Sequence, residues 1–153
     1  MKVILISDSH GNKNSIDKIF NNLQFDYLFF LGDGLGDLGT YINLDNVFAV
    51  SGNCDFFSRV ENEKFFELAG YKIFITHGNK YGVKSTLNHL QERGEELNAN
   101  IVVFGHTHKK YFEKIGDIYY INPGKFSKNT DGDSCGVELT LDENGVEVKD
   151  FVI

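Results

Sequence analysis

Five short apolar segments of this chain each end in a loop that carries aspartate, asparagine or histidine. The loops read DSH (residues 8–10), GD (32–33), GNCD (52–55), HG (77–78) and GHTH (105–108). In folds built from alternating strands and helices, ligands bind beyond the carboxyl ends of the strands, because the loops converge there. The pattern therefore predicts an α/β fold in which polar residues that are distant in sequence meet at one edge of a sheet.

The spacing of apolar residues predicts the elements that hold these loops. Residues at helical spacing predict two helices, over residues 12–23 and 83–97. Buried-type strands are predicted at residues 3–6, 27–31, 47–50, 64–68, 72–76, 101–104, 111–115 and 118–121. The Asn144-Gly145 pair then predicts a tight hairpin between two further strands, the second over residues 146–153. No internal repeat or domain boundary is visible, and one domain over residues 1–153 is expected.

Charge and cysteine content exclude some partners and compartments. With a net charge of −7, the chain would be repelled by a long nucleic acid, whose binding depends on many Lys and Arg residues. A small phosphorylated substrate remains compatible, because bound cations reverse the local sign. The two cysteines, Cys54 and Cys135, match no metal or redox spacing and fit a reducing cytoplasm. The apolar run at residues 3–6 is too short for a signal peptide or a membrane span.

The polar residues of the five loops form a set that suits transition metals. They supply two carboxylates, one amide and four imidazoles: Asp8, His10, Asp33, Asn53, His77, His106 and His108. One ion cannot use seven such ligands, but two ions that share a bridging carboxylate can. Mixed nitrogen and oxygen ligands favour Mn, Fe, Zn, Co or Ni over Mg or Ca. The residues alone thus predict a dinuclear metal hydrolase and leave its substrate open.

The ordered series DSH, GD, GNCD, HG and GHTH resembles the signature of the calcineurin-like metallophosphoesterases, and within them the small YfcE-like phosphodiesterases. The resemblance covers residues 2–124. It implies a four-layer αββα sandwich with two packed mixed β-sheets flanked by helices. It further implies a phosphodiesterase that acts on a small phosphodiester, and it suggests a homo-oligomer.

The same resemblance implies the roles of the ligands. One ion, with Mn²⁺ the first choice, would be held by Asp8, His10 and His108, and the other by Asn53, His77 and His106. Asp33 would bridge the two, and the catalytic residues would be Asp33, Asn53 and His77. A hydroxide that bridges the metals would attack phosphorus, with Asn53 holding a phosphoryl oxygen.

The chain departs from the wider superfamily at three positions. Where many relatives have the histidine of GNH, thought to protonate the leaving group, this chain has Cys54, and a thiol is a poorer acid at neutral pH. Asn53 and Cys54 are both expected to contact substrate. The arginine that protein phosphatases carry after the GD motif is missing. Lys125 replaces the serine of NPGS, and we expect it to point into solvent.

Several neighbouring residues have plainer interpretations than metal binding. His89 falls off the apolar face of the predicted helix and is expected to be exposed. Asp37 is expected to cap a short helix and Asp55 to close a turn, so both stay outside the ligand set. The adjacent Phe56 and Phe57 suggest a substrate wall or a subunit contact.

Two other functions remain open on the sequence. A non-catalytic scaffold of the same fold would be expected to have lost ligands, whereas all seven positions are filled here. A phosphomonoesterase or a nuclease is the other possibility: the missing arginine disfavours a protein phosphatase, and the small size and acidic charge disfavour a processive nuclease.

Overall fold

Ten strands lie in two five-stranded sheets in the computed structural model, which describes residues 1–128 and 132–153. Sheet I contains β1 (Lys2–Ile6), β2 (Tyr27–Phe30), β3 (Val47–Ala49), β9 (Cys135–Asp142) and β10 (Gly145–Val152), in the order β10-β9-β1-β2-β3. Strands β1, β2 and β3 are parallel, whereas β9 and β10 pair antiparallel at the other edge. Sheet I is therefore a mixed sheet, with the predicted hairpin as its outer pair.

Sheet II is also mixed. It contains β4 (Glu63–Leu68), β5 (Tyr71–Thr76), β6 (Ile101–Phe104), β7 (Lys110–Ile115) and β8 (Ile118–Pro123), in the order β4-β5-β6-β8-β7. The central strands β5, β6 and β8 are parallel, and β4 and β7 pair antiparallel at the edges. The parallel strands are almost continuously apolar, as expected for strands that are covered on both faces.

The helices are α1 (Lys13–Asn22), α2 (Leu35–Leu38) and α3 (Asn88–Glu96), with 3-10 turns at Gly39–Asn43 and Asn79–Tyr81. None of the helices in the described residues is long and apolar enough to cross a membrane.

Alternate residues of β1 face two different cores. Val3 and Leu5 are buried between the two sheets, whereas Ile4 and Ile6 point to the opposite face and pack with α1. On the far side of sheet II, a third apolar cluster joins β5 and β6 to Leu90 of α3. The layers follow the order helix, sheet, sheet, helix, which confirms the expected αββα sandwich.

The predicted helix over residues 83–97 was wrong at its start, because α3 begins only at Asn88. Gly82 has a φ of +62° and its carbonyl oxygen accepts hydrogen bonds in a turn that extends to Thr86. Thr86 Oγ1 then accepts a hydrogen bond from the Asn88 amide at 3.1 Å, which satisfies one of the free amides at the start of the helix. Val83 is buried, but as part of this turn.

Candidate metal centre

The seven predicted ligands converge at the carboxyl ends of the parallel strands of both sheets. They follow β1, β2 and β3 of sheet I and β5 and β6 of sheet II. Backbone hydrogen bonds join neighbouring loops: the Asp8 amide donates to Gly32 O at 2.9 Å, and the Gly105 amide donates to His77 O at 3.0 Å. The structure thus brings together, where the carboxyl ends of the strands of both sheets meet, residues separated by up to 100 positions in the chain.

Asp8, His10 and His108 form the first group of metal-binding side chains. Asp8 is fully buried, and its Oδ1 lies 3.1 Å from His108 Nε2 and 3.9 Å from His10 Nε2. That Oδ1 accepts no hydrogen bond from the described residues. A buried carboxylate oxygen without a donor is costly unless a cation or another donor pairs with it. The first group therefore has the donor atoms and the unmet negative charge of a metal site.

Asp33, His77 and His106 form the second group, and Asn53 adjoins it. His77 Nδ1 lies 2.6 Å from the Leu31 carbonyl oxygen, which can only accept, so Nδ1 carries the hydrogen. The lone pair of the neutral ring is then on Nε2, which lies 3.1 Å from both Asn53 Oδ1 and His106 Nδ1. Ligand histidines are commonly fixed by a backbone carbonyl in this way. Several acceptor atoms face one another here, which is favourable around a cation.

Asp33 lies between the two groups. Its Oδ2 is 3.9 Å from His10 Nε2 in the first group and 3.4 Å from His77 Nε2 in the second. Its Oδ1 accepts a hydrogen bond from the Cys54 amide at 2.8 Å, which fixes the carboxylate. One oxygen of Asp33 therefore faces the ligands of both groups.

The backbone of the ligand loops is held in an unfavourable conformation. Eight non-glycine residues in the described parts of the chain have positive φ, and five of them are predicted ligands, namely Asp8, His10, Asp33, His106 and His108. Such residues cost free energy and concentrate at functional sites, where the surrounding structure enforces them. The concentration of strain at the ligands indicates that the loops are shaped to aim these side chains.

Asp55 is the main support of the site that the sequence did not reveal. Its carboxylate accepts hydrogen bonds from the amides of Asp33 at 2.7 Å, Gly34 at 2.9 Å, Leu35 at 2.9 Å and Gly52 at 2.8 Å. It closes the turn at Gly52, as expected, but it also fixes the Asp33 loop. In the sequence, only its position two residues after Asn53 points to a role for Asp55. That position does not show which backbone amides donate to the Asp55 carboxylate.

Asn122 has a similar role under the GHTH loop. Its Nδ2 donates to Gly105 O at 2.8 Å and Thr107 Oγ1 at 3.1 Å, and its Oδ1 accepts from the Gly124 amide at 2.8 Å. The side chain is buried. Asn122 thereby ties the loop of His106 and His108 to the end of β8.

Two glycines next to ligands are required by close packing. A Cβ at Gly52 would collide with Asp33 Oδ1, and a Cβ at Gly105 would collide with Ser7 Oγ. Neither has a positive φ, so the space that a side chain would occupy, and not the backbone conformation, requires glycine at these two positions.

Burial separates the floor of the site from its rim. The side chains of Asp8, Asp33 and His77 are at most 4% exposed, whereas those of His10 and His108 are 33% and 43% exposed. Burial is the main cause that lowers the pKa of His106, and its electrostatic interactions with His77 and Lys84 lower it further. His106 is therefore neutral at pH 7, as a metal ligand must be.

Cys54 lies on the exposed rim. Its thiol belongs to a group with His10 and Asp33 whose candidate donor atoms all lie within 4.8 Å of one another. Burial, followed by the interaction with Asp33, raises the pKa of the Cys54 thiol. The thiol is protonated at neutral pH and holds its proton more firmly than an ordinary cysteine does.

The plainer predictions for neighbouring residues had mixed outcomes. His89 is exposed, as predicted, and so is Lys125. Asp37 is not a helix cap: it lies inside α2, and its Oδ2 accepts hydrogen bonds from Ser9 Oγ at 2.5 Å and the Gly11 amide at 2.8 Å. Phe56 and Phe57 are strongly exposed, and their suggested contact with substrate or a second subunit stays a prediction.

Sequence comparison places the chain among known phosphoesterases. A family model described as the calcineurin-like phosphoesterase superfamily domain matches residues 1–144. The probable metallophosphoesterase YsnB of Bacillus subtilis is 34% identical over 125 residues, which cover 81% of this chain and 74% of YsnB. Phosphodiesterase YfcE of Escherichia coli K12 is 28% identical over 157 aligned residues, which cover 83% of this chain and 80% of YfcE.

Solved structures share the fold over nearly the whole chain. A predicted phosphoesterase from Streptococcus pneumoniae TIGR4 has a TM-score of 0.82 at 24% identity, covering 99% of this chain and 97% of its own. A single mutant of Vps29 from Entamoeba histolytica has a TM-score of 0.77 at 19% identity, covering 100% and 99%. At these identities the similarity establishes the architecture alone.

Proposed function

This chain belongs to the calcineurin-like phosphoesterase superfamily, and from that premise and the geometry of the site we propose that it hydrolyses a small phosphodiester with two divalent cations. It is a metal-dependent phosphoric diester hydrolase, like the relatives named phosphodiesterase. The number of ions, their identity and the substrate are the parts that we propose.

The position of Asp33 is the observation that supports a dinuclear centre most directly. Its Oδ2 faces His10 on one side and His77 on the other, as a bridging carboxylate would. On this proposal Asp8, His10 and His108 hold one ion, and Asn53, His77 and His106 hold the other. The mixture of imidazole nitrogen and carboxylate oxygen favours Mn²⁺ or a neighbouring transition metal over Mg²⁺ and Ca²⁺.

Two cations held by these residues would lower the pKa of a bound water and supply positive charge to the transition state. The protein residues position the substrate. Asn53 Oδ1 faces His77, so its Nδ2 is directed away from the imidazole and lies 3.5 Å from Cys54 Sγ. From this rim position the amide can donate a hydrogen bond to a phosphoryl oxygen. The exposed rim of His10, His108 and Asn53 leaves the site open to substrate.

Cys54 occupies the position from which the histidine of related enzymes is thought to protonate the leaving group. A thiol keeps its proton at neutral pH and is a weaker general acid there than an imidazole. We propose that this enzyme acts best on diesters whose leaving group needs no proton, such as aryl oxides.

The scaffold alternative predicts a site that has lost ligands, and all seven are present and close together here.

We place the enzyme in the cytoplasm on the basis of its two unpaired cysteines.

A substrate panel tests the proposed function. Purified protein would be freed of metal, reloaded with Mn²⁺, Mg²⁺ or Zn²⁺, and assayed on bis(p-nitrophenyl) phosphate, p-nitrophenyl phosphate and a 2′,3′-cyclic nucleotide. We expect the diester to be hydrolysed faster than the monoester, with Mn²⁺ most effective and a chelator abolishing turnover. Asp8→Asn is the inactive control.

Absence of diester hydrolysis with every metal, in protein that binds two ions, would favour the scaffold. Faster turnover of the monoester would indicate a phosphomonoesterase.

A further inference from the structure

A groove of about 520 Å³ opens beside the candidate metal centre. Thr107, which stands between His106 and His108, lines it, as does Phe104 at the end of β6. Val83 forms another wall and packs on Gly78, the residue after His77, so closely that a Cβ at position 78 would lie 3.0 Å from Val83 Cγ2. The groove therefore begins at the loops that present His77, His106 and His108.

The walls of the groove are apolar and its rim is cationic. Val83 and Phe104 are buried, and Leu87 and Tyr111 complete the apolar lining. The rim residues Lys84, Lys109 and Lys110 are exposed. The volume lies within the range of small-molecule sites, which are typically apolar clefts with a few polar groups that fix orientation.

Two of the three lysines are available to a ligand. Lys110 forms an ion pair with Asp150 at 2.8 Å. For Lys84 and Lys109, no ion pair with a carboxylate occurs in residues 1–128 and 132–153. In a chain with a net charge of −7, two free cations on one groove favour an anionic occupant.

The groove is held in a fixed position relative to the metal ligands. Thr107 Oγ1 accepts hydrogen bonds from Asn122 Nδ2 at 3.1 Å and from the Lys109 amide at 3.2 Å. The same Asn122 amide group holds Gly105 O. The lysine rim and the loop of His106 and His108 are thus parts of one hydrogen-bonded unit. A molecule bound in the groove would therefore have a fixed position relative to the candidate metal ligands.

We propose that this groove binds one ester arm of the substrate, and that the preferred arm carries an apolar or aromatic body and a negative charge beyond the scissile phosphate. This is the chemistry of a nucleotide with a second phosphate. The proposal rests on the phosphodiesterase function and names the substrate class that Lys84, Lys109 and the apolar walls would select.

Two matched substrates test the groove. Thymidine 5′-(p-nitrophenyl phosphate) and its 3′-phosphorylated form share the scissile bond and the leaving group and differ in one remote phosphate. We expect the 3′-phosphate to raise kcat/KM of the wild-type enzyme about fivefold, the size typical of exposed charge pairs. The Lys84→Ala/Lys109→Ala variant should lose this preference, so that the ratio of kcat/KM for the two substrates falls to about one. A Lys18→Ala/Lys72→Ala variant, which alters exposed lysines outside the groove by the same net charge, should retain the preference.

Binding gives an answer that does not depend on turnover. Calorimetric titration with thymidine 3′,5′-bisphosphate and thymidine 5′-phosphate should show the same roughly fivefold preference in wild-type protein and none in the Lys84→Ala/Lys109→Ala variant. If the wild type cleaves both substrates equally, or if the preference survives in that variant, the groove proposal is overturned. If neither substrate is cleaved while the binding preference follows the lysines, the proposed function fails and the groove stands.

Discussion

At the scale of single residues, both groups of candidate ligands depend on Asp33, because one of its carboxylate oxygens faces both groups. Asp33→Asn keeps the shape and the oxygen that accepts from the Cys54 amide but removes the charge. We expect it to lose both ions, whereas His108→Ala, which alters only the first group, should lose mainly one. Metal counting per chain by mass spectrometry under native conditions checks this.

Activity should follow the metal content. We expect kcat/KM on an aryl diester to fall at least about a hundredfold in Asp33→Asn, since even residues behind a ligand contribute 10–100-fold. His89→Ala, on an exposed helix position, should bind two ions and keep normal activity. An Asp33→Asn protein that retains two ions would contradict the bridging role.

Cys54 raises a separate question about the leaving group. Because a thiol is a weak general acid at neutral pH, replacement of Cys54 by alanine should change hydrolysis of p-nitrophenyl diesters little, whereas Cys54→His should add a group that titrates near neutrality. We expect Cys54→His to increase kcat on alkyl diesters about tenfold or more, within the range of general acid catalysis. Measurement of kcat against leaving-group pKa would show a shallower slope in this variant. An unchanged slope would mean that protonation does not limit the reaction.

The types and order of residues predicted which side chains come together at the candidate metal centre, but they did not predict the residues that support those side chains. Asp8 and His106 stand in motifs that are weak singly, and the ordered set of five motifs is what resembles the family. Asp55 and Asn122 act by accepting from or donating to backbone groups that are distant in the chain. Any aspartate or asparagine can do this, so only the folded loops reveal which ones do.

At the scale of the elements, Asp55 joins the loop after β3 to the loop after β2. Its carboxylate accepts hydrogen bonds from four backbone amides, those of Asp33, Gly34, Leu35 and Gly52. Asp55→Ala would leave all four amides without this partner. We expect a loss of about 2–3 kcal/mol in the free energy of unfolding, as for hydrogen bonds to a charged group, together with weaker metal binding. Urea unfolding and metal titration of the same protein samples measure both effects.

Two further variants separate this role from a general effect of charge. Asp55→Asn keeps one accepting oxygen and should lose less stability than Asp55→Ala. Asp45→Ala removes an equally negative but exposed side chain and should change the free energy of unfolding by less than about 0.5 kcal/mol. Equal losses from Asp55→Ala and Asp45→Ala would contradict the proposed bracing of the loops.

The late start of α3 shows why an apolar pattern can place a helix wrongly. Val83 is buried at a helical spacing from Leu90 and lies in the same apolar cluster, but it belongs to a turn that also packs on Gly78. Gly82 at positive φ and the Thr86 hydroxyl determine the turn instead. Periodicity records which residues are buried and leaves open the conformation that buries them.

At the scale of the molecule, the layers followed from the sequence, but the order of strands did not. Apolar runs predicted strands that alternate with helices, and the resemblance to phosphoesterases implied two sheets between helices. Which strand is adjacent to which depends on long-range pairing, such as that of β1 with β9, and no local pattern encodes it. This pairing also determines where the loop after β8 lies, and hence that Asn122 reaches the GHTH loop.

Several acceptor atoms face one another in the candidate metal centre, and they lower the stability of the fold unless a cation pairs with them. Asp8 Oδ1 has no hydrogen bond from the described residues, and Asp33 Oδ2 faces the Nε2 atoms of His10 and His77. Cations should relieve this cost. At a hundredfold excess over Kd, one ion adds about 2.7 kcal/mol, which corresponds to a rise in Tm of roughly 5–10 °C for a chain of this size. Two ions should add more, and calorimetry with and without Mn²⁺ measures the shift.

Asp33→Asn should reverse both effects: it should stabilise the metal-free protein and reduce the stability gained on metal binding. Its amide keeps an oxygen for the Cys54 amide and offers N–H donors to the lone pair of His77 Nε2, which lies 3.4 Å from Asp33 Oδ2. We therefore expect the metal-free variant to be more stable than the metal-free wild type, by about 1 kcal/mol for one added hydrogen bond, while Mn²⁺ raises its Tm little. A metal-free variant that is less stable than the metal-free wild type would show that the carboxylate serves the fold itself. The opposite result would show that stability is given up at this position to keep two cations in place.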